Sequence, residues 1–266
     1  LPRACVSVRV RAKKRLGQHF LHDPAVLRRL VGAVAPAPAD RMVEIGPGPG
    51  ALTRLLIERL DRLDAVEIDR ELAASLPERV PHPERLVVHT ADALDFDFGS
   101  LAAGPSSLRV VGNLPYNVST PLLFHLLEFS HVIRDLHVML QREVVERMTA
   151  RPGGKDYGRL TVMLAAAAYC EALFDVGPGA FQPPPKVWST VVRVSPRTPD
   201  FVIGDRARFA ALVAHLFSMR RKTLGRALKG RITAEQIASA DIDPMARPET
   251  LAPADFAKLA ALDSEP

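Results

Sequence analysis

VEIGPGPGALT, residues 43–53, passes from apolar and β-branched residues through Gly46, Gly48 and Gly50 into Ala51 and Leu52. Its first part suits a buried strand, MVEIG (42–46), and its last part opens a helix over 51–60. Glycines between a strand and a helix allow a tight turn and a close approach of backbone to a ligand. Their spacing is G-x-G-x-G, not the G-x-G-x-x-G of dinucleotide binders, and no lysine follows them as in a P-loop.

The alternation continues along the chain. DAVEID (64–69), RLVVHTAD (85–92), SLRVVGN (107–113) and DLHVML (135–140) read as strands, with helices predicted over 70–79 and 120–129. Pro24 after Asp23 starts an earlier helix, 24–35. Past Gln141, helices are predicted over 142–149 and 159–168. Strands follow over 168–176 and 187–194, joined by the proline-rich GPGAFQPPPK. Strands separated by helices predict an α/β fold, a mostly parallel Rossmann-like sheet of about seven strands covered on both faces. SPRTPD (195–200) reads as a linker, and helices are predicted beyond it over 205–217, 222–229, 234–240 and 253–262. The expected division is therefore an α/β domain over 1–199, with a basic arm over 1–15, and a small all-helical domain over 200–266.

The chain has 266 residues, of which 47% are hydrophobic and 24% charged, the balance of an ordinary globular protein. No apolar run reaches the roughly 18 residues that span a bilayer; the longest, over 162–170, is too short. Cys5 and Cys170 are the only cysteines, which excludes a disulfide framework and a cysteine zinc site and fits a reducing compartment. Net charge is +5, with a sequence pI near 9.5. The excess is concentrated in two acid-free segments, residues 1–15 and MRRKTLGRALKGR (219–231). Such segments suit a polyanion, because each phosphate contact releases counterions, although a solvated surface would look the same. The Arg-rich start also has the composition of an organelle transit peptide. VSVRVRAKKR, however, alternates like a strand, and the expected location is cytoplasmic, with mitochondrial as the alternative.

Acids and an amide recur where the predicted strands end. Glu67 ends the second strand, about twenty residues after the glycines, where a carboxylate can accept both hydroxyls of a ribose. Asp92 ends the third and suits an adenine amine. Asn113 ends the fourth, within GNLPYN (112–117). Ligands of such sheets bind at the carboxyl ends of the strands, so these groups and the glycines would converge on one cleft for an adenosine-bearing cofactor. An exocyclic amine on an aromatic ring is a poor nucleophile, since its lone pair is delocalised. The Asn113 side-chain oxygen and the Leu114 carbonyl would accept its hydrogens and favour a tetrahedral nitrogen. Pro115 would fix the carbonyl and Tyr116 would stack on the ring. A sulfonium methyl held in line could then be transferred with no dedicated base. His19 and His22 have the look of a metal pair, but no further ligand accompanies them.

KKRLGQHFLHD (13–23), VEIGPGPGALT, VEID, TADAL, GNLPYNVSTPL, YGRLTVM, AFQPPPKVWSTVVR and MRRKTLGRAL together span nearly the whole chain. In these motifs the sequence resembles the small-subunit ribosomal RNA adenine dimethyltransferases. The resemblance implies a class I methyltransferase sheet and S-adenosylmethionine as cofactor. It also implies transfer of two methyls to N6 of each of two adjacent adenosines in the 3′-terminal hairpin of the small-subunit RNA. By motif, His19, Leu21, Gly46, Gly48, Glu67, Asp92 and Asn113 would hold the cofactor, and Asn113, Leu114, Pro115 and Tyr116 the amine. Phe181 would be a second aromatic facing the base, which suits an extruded nucleotide. Lys13, Lys14 and Arg15, with Arg220, Arg221 and Lys222, would contact RNA.

The implied partner is the immature small ribosomal particle, met by a monomer with no membrane contact and with a role in subunit biogenesis. About ten residues precede KKRLGQ beyond the family pattern, and Trp188 stands where a small or polar residue is expected. Methylation of large-subunit RNA, and an assembly or transcription factor on the same fold, are the alternatives.

Overall fold

The computed structural model describes residues 12, 13 and 16–263. Pro24 does open a helix. The Asp23 carboxylate accepts from the N–H groups of Ala25 and Val26 at 2.7 and 3.0 Å, satisfying two donors of the first turn. This helix is α1 (Pro24–Val34), preceded by a two-residue strand, β1 (Phe20–Leu21). Then come β2 (Arg41–Ile45), α2 (Ala51–Ile57), β3 (Leu63–Glu67), α3 (Arg70–Ser75), β4 (Leu86–Thr90), β5 (Leu108–Asn113) and α4 (Ser119–Glu128). The chain continues through β6 (Ile133–Gln141), α5 (Arg142–Met148), α6 (Arg159–Ala165), β7 (Ala168–Val176), β8 (Phe181–Gln182) and β9 (Ser189–Pro196). Helices α7 (Arg206–Ser218), α8 (Leu224–Ala227), α9 (Ala234–Ser239) and α10 (Pro253–Leu262) complete it.

The seven-stranded sheet has the order β4-β3-β2-β5-β6-β9-β7. β2 runs parallel to β3 and β5, β3 to β4 and β5 to β6, while β9 is antiparallel to β6. Met42, Val43, Glu44 and Ile45 of β2 are all buried. Successive strand residues point to opposite faces, so both faces at this strand are covered, as the unalternated apolar pattern predicts. Leu27, Leu30 and Val31 of α1 and Leu52, Leu56 and Ile57 of α2 pack there with Met42, Leu63, Ala65 and Val111. The chain steps outward from β2 to β4, then returns to the other side of β2 as β5. The carboxyl ends of β2 and β5 are thus the topological switch point where such sheets bind ligands. Ile45 pairs with Gly112 there, and a Cβ on Gly112 would overlap the Ile45 carbonyl. Glycine is needed at 112 for the strands to meet.

At the opposite end of β5, Arg109 is buried and anchored. It donates to the carbonyl of Val34 at 2.7 Å, to Asp40 at 2.8 Å and to Asp135 at 3.0 Å. The two-stranded pairing of β1 with β8, Leu21 opposite Phe181, was not predicted; two-residue strands carry no periodicity to read.

The chain divides into two compact units, residues 1–145 with 171–196, and residues 146–170 with 197–266. The boundary expected near 199 lies close to one crossing. The earlier excursion corrects the expected linear division: α6 belongs with the late helices. The reason is apolar: Tyr157, Val162 and Ala166 share a core with Phe209, Leu212, Leu216, Leu224 and Phe256, and the Tyr157 hydroxyl donates to Leu251 O at 2.7 Å. The helix expected over 222–229 is cut to Leu224–Ala227, its first N–H groups taken by the carbonyls of Ala246 and Pro244. Among the described residues no helix is long and apolar enough to cross a membrane.

Candidate functional site

The glycine turn after β2 opens onto a cavity of about 240 Å³ in the first unit. Gly46, Gly48, Glu67, Asp92, Asn113, Leu114, Pro115 and Tyr116 line it, along with His19 from the segment before β1. Gly48 has φ +56°, a left-handed conformation, and a Cβ there would stand 2.9 Å from the Phe20 ring. Its freed N–H donates to Glu67 Oε2 at 3.0 Å, while Asp69 N–H donates to Oε1 at 2.9 Å. Both oxygens of Glu67 are thereby oriented and each keeps a lone pair for a ligand hydroxyl. Burial pushes the Glu67 carboxyl above its ordinary range, and the N–H groups of Asp69 and Gly48 oppose that push.

Asn113 ends β5 with its side chain fixed. Nδ2 donates to the His19 carbonyl at 2.7 Å. The reverse amide orientation would set two acceptors against each other, so Oδ1 must face the other way. That oxygen is buried and has no hydrogen-bond partner. A buried acceptor left empty costs about 1–3 kcal/mol, and this one belongs to a residue that lines the cavity. Pro115 and Tyr116 follow in the loop to α4. The Tyr116 hydroxyl meets Ser189 Oγ at 2.5 Å, and its ring stacks on His19 with centroids 5.6 Å apart and planes at 24°. Burial raises the Tyr116 phenol, which stays neutral.

Asp92 reaches the cavity exposed, its Oδ1 accepting from Leu94 N–H at 3.0 Å in a local turn. Leu21 and Phe181 do not line the cavity. Their side chains are 7% and 1% exposed and belong to the core, because the β1–β8 pairing turns both inward. This corrects the placement expected of Phe181 against a target base. Lys13 is also committed elsewhere: Nζ pairs with Asp69 at 2.8 Å and Glu71 at 2.9 Å, which hold its pKa above the ordinary value. Lys13 and Gln18, which donates to Asp69 at 3.4 Å, tie the leading segment to the first turn of α3. Lys14 and Arg15 lie outside the described residues.

In the second unit, Arg221 and Lys222 are exposed, but Arg220 pairs with Glu249 at 2.5 Å and donates to Lys155 O at 3.0 Å. A guanidinium so engaged holds the fold before it can hold phosphate. His19 Nδ1 lies 2.8 Å from the Pro183 carbonyl, and no cluster of three or more metal-binding side chains exists among the described residues.

Sequence reasoning missed Phe20, Ile68 and Leu94 as cavity walls and Ser189 as the partner of Tyr116. Ile68 is 45% exposed beside Glu67; its position directly after a strand-end acid was the available signal. Ser189 is 73 residues from Tyr116 and carried none.

Glu44 was missed too. It is 2% exposed in the middle of β2, and Oε2 lacks a partner. Burial, with Glu67 nearby adding to it, pushes its carboxyl up to about 8, which the Thr53 hydroxyl offsets only in part. A raised acid keeps its proton in the folded state after the unfolded chain has lost it, so stability falls as pH rises from about 4.5 to 8. Glu44→Gln should match wild type in thermal melts near pH 4 and exceed it by on the order of 2 kcal/mol at pH 7.

The chain is 55% identical over 250 residues to the ribosomal RNA small subunit methyltransferase A of Acinetobacter baylyi, covering 94% of this chain and 91% of that protein. Among solved structures, a dimethyladenosine transferase from Plasmodium falciparum superposes with TM-score 0.78 at 25% identity, covering 91% of this chain and 96% of the other. The 23S rRNA methyltransferase ErmE superposes with TM-score 0.72 at 26% identity, over 92% of this chain and 100% of that one. The sequence model described as ribosomal RNA adenine dimethylase matches residues 9–262, a span that takes in the glycine turn, Glu67, Asp92 and the Asn113–Tyr116 loop alike, and the chain belongs to that family.

Proposed function

We propose that the protein transfers methyl groups from S-adenosylmethionine to N6 of adenosine in the RNA of the small ribosomal subunit. The single observation that carries this is the buried, unpartnered Oδ1 of Asn113, a residue that lines the cavity. It has the chemistry to accept one hydrogen of an adenine amine. Glu67 would take the ribose hydroxyls of the cofactor, its two oxygens held by Gly48 and Asp69. Ile68, Leu94 and Asp92 offer apolar walls and one acceptor to a flat purine. The glycine turn fits this use, since its backbone lines the cavity and Gly48 N–H holds Glu67 Oε2.

When bound, S-adenosylmethionine would supply an electrophilic sulfonium methyl, with Glu67, Asp92 and the glycine turn as the residues that would hold it. The chain's residues position and polarise. The His19 carbonyl orients the Asn113 amide, which draws on an N6 hydrogen and localises the nitrogen lone pair. The ring of Tyr116, clamped by Ser189 and stacked on His19, closes the amine end. Preorganised groups of this kind need no rearrangement as charge develops.

The finer reading is dimethylation of two adjacent adenosines of the 3′-terminal hairpin, within an immature subunit and by a monomer. Purified protein incubated with the methyl donor and unmethylated small subunits should yield dimethyladenosine by mass spectrometry of the RNA. Absence of methyl transfer would refute the proposal. Superposition on ErmE supports a second reading, methylation of large-subunit RNA. Nucleotide mapping after incubation with each subunit separates the two, and the 55% identity to a small-subunit enzyme favours the first.

A further inference from the structure

Trp188 is the only tryptophan of the chain and is 51% exposed. It lies in the loop between β8 and β9, and both ends of that loop are tied to the cavity. At one end His19 Nδ1 meets the Pro183 carbonyl at 2.8 Å; at the other Ser189 Oγ meets the Tyr116 hydroxyl at 2.5 Å. His19 and Tyr116 line the cavity and stack on each other. The loop is therefore fixed beside the amine end of the site, and Trp188 is one residue, about 3.8 Å of backbone, from the Tyr116 anchor.

Between the anchors the loop displays Lys186, Val187 and Trp188 outward, while Pro185 and Ser189 are buried. The indole does not hang free. The backbone carbonyl of Trp188 accepts from Arg142 N–H at 2.9 Å. The six-membered ring of the indole lies against Gly177, where a Cβ would be 3.6 Å away. One side of the ring is seated on backbone and the rest is open, with a cation two residues before it.

We propose that Trp188 is a stacking platform for the unpaired base that neighbours the target adenosine. The proposal rests on the RNA-methylating function above and adds a residue to it. A seated, half-exposed indole offers a flat apolar face at little entropic cost, and stacking on aromatic side chains is a common way of holding splayed-out bases. Lys186 supplies a positive charge for the adjoining phosphate. The occupant is a nucleotide, because the loop that carries the platform is anchored to His19 and Tyr116, at the end of the cavity proposed to receive an adenine.

Trp188→Ala should raise the KM for unmethylated small subunits on the order of tenfold, with kcat changed less. Trp188→Phe should restore most of that loss, since any aromatic ring can stack. Cofactor affinity by calorimetry and the melting temperature should stay at wild-type values in both variants. Because the tryptophan is single, wild-type fluorescence should also be quenched by a stem–loop RNA with unpaired adenosines. Wild-type KM in Trp188→Ala, with methyl transfer intact, would overturn the platform and leave the function standing. If wild-type protein transfers no methyl at all, the function falls, and absence of quenching by the stem–loop then overturns the platform as well.

Discussion

Asn113→Ala is expected to lower kcat for methyl transfer by about 10²–10³-fold, the usual effect of removing one preorganised hydrogen-bonding group that acts on the reacting atoms. The argument starts from the unpaired Oδ1. An amide whose N–H is spent on the His19 carbonyl at 2.7 Å has a fixed direction, so its oxygen needs no reorganisation to meet an incoming amine. Alanine removes the acceptor and leaves the His19 carbonyl without its donor. The melting temperature should fall modestly, and the cofactor should still bind through Glu67, within about tenfold of wild type. Asn113→Asp keeps an acceptor but opposes a carboxylate to the His19 carbonyl, and it should also be impaired. Single-turnover transfer with bound cofactor and unmethylated subunits is the measurement. Activity of Asn113→Ala near wild type would remove Asn113 from the chemistry.

Much of the site was legible because its residues sit at the ends of elements that announce themselves. Glu67, Asp92 and Asn113 each close a strand-like run, and the parallel alternation brings such ends to one edge of the sheet. The glycines were legible for the same reason, and the positive φ of Gly48 is what only a glycine adopts without strain. Orientation within the site was not legible. Nothing in GNLPYN says that Tyr116 is held by Ser189, or that Asn113 gives its N–H to a backbone carbonyl 94 residues earlier.

Phe181 shows how a motif can name a residue and misplace its ring. One extra strand pairing, Leu21 against Phe181, decides which way the side chain faces, and a one-residue shift of register would reverse it. The basic segments illustrate a further limit. Charge runs predict a face, but Lys13 and Arg220 have acid partners supplied from elsewhere in the fold, Asp69 and Glu249. The division into units was misread because α6 carries its apolar face toward helices that begin some forty residues later, a pairing no local pattern encodes.

Arg109→Met should destabilise the first unit by about 3 kcal/mol at neutral pH, because Asp40 and Asp135 lose their buried counter-charge and keep only the half-exposed Arg134, at 3.1 and 3.3 Å. Arg109 reaches three parts of the fold at once: the end of α1 through Val34 O, the turn before β2 through Asp40, and β6 through Asp135. Its side chain is 7% exposed and those of Asp40 and Asp135 are 10% and 15%, so solvent screens the charges little. Burial alone would raise the Asp135 carboxyl, but His137 and Arg109 beside it prevail and hold it at about 2. A carboxyl depressed in the folded state contributes its full stabilisation above the unfolded value near 3.8 and loses it as pH falls toward 2. Without Arg109 much of that depression goes, so the variant should lie furthest below wild type between pH 6 and 7, and the gap should narrow below pH 3. Denaturant melts of both proteins at pH 7 and pH 3 test this, and at pH 7 the melting temperature should drop by about 10 °C. A gap of the same size at both pH values would mean that methionine disturbs packing alone and that the ion cluster at the base of β5 adds nothing to stability.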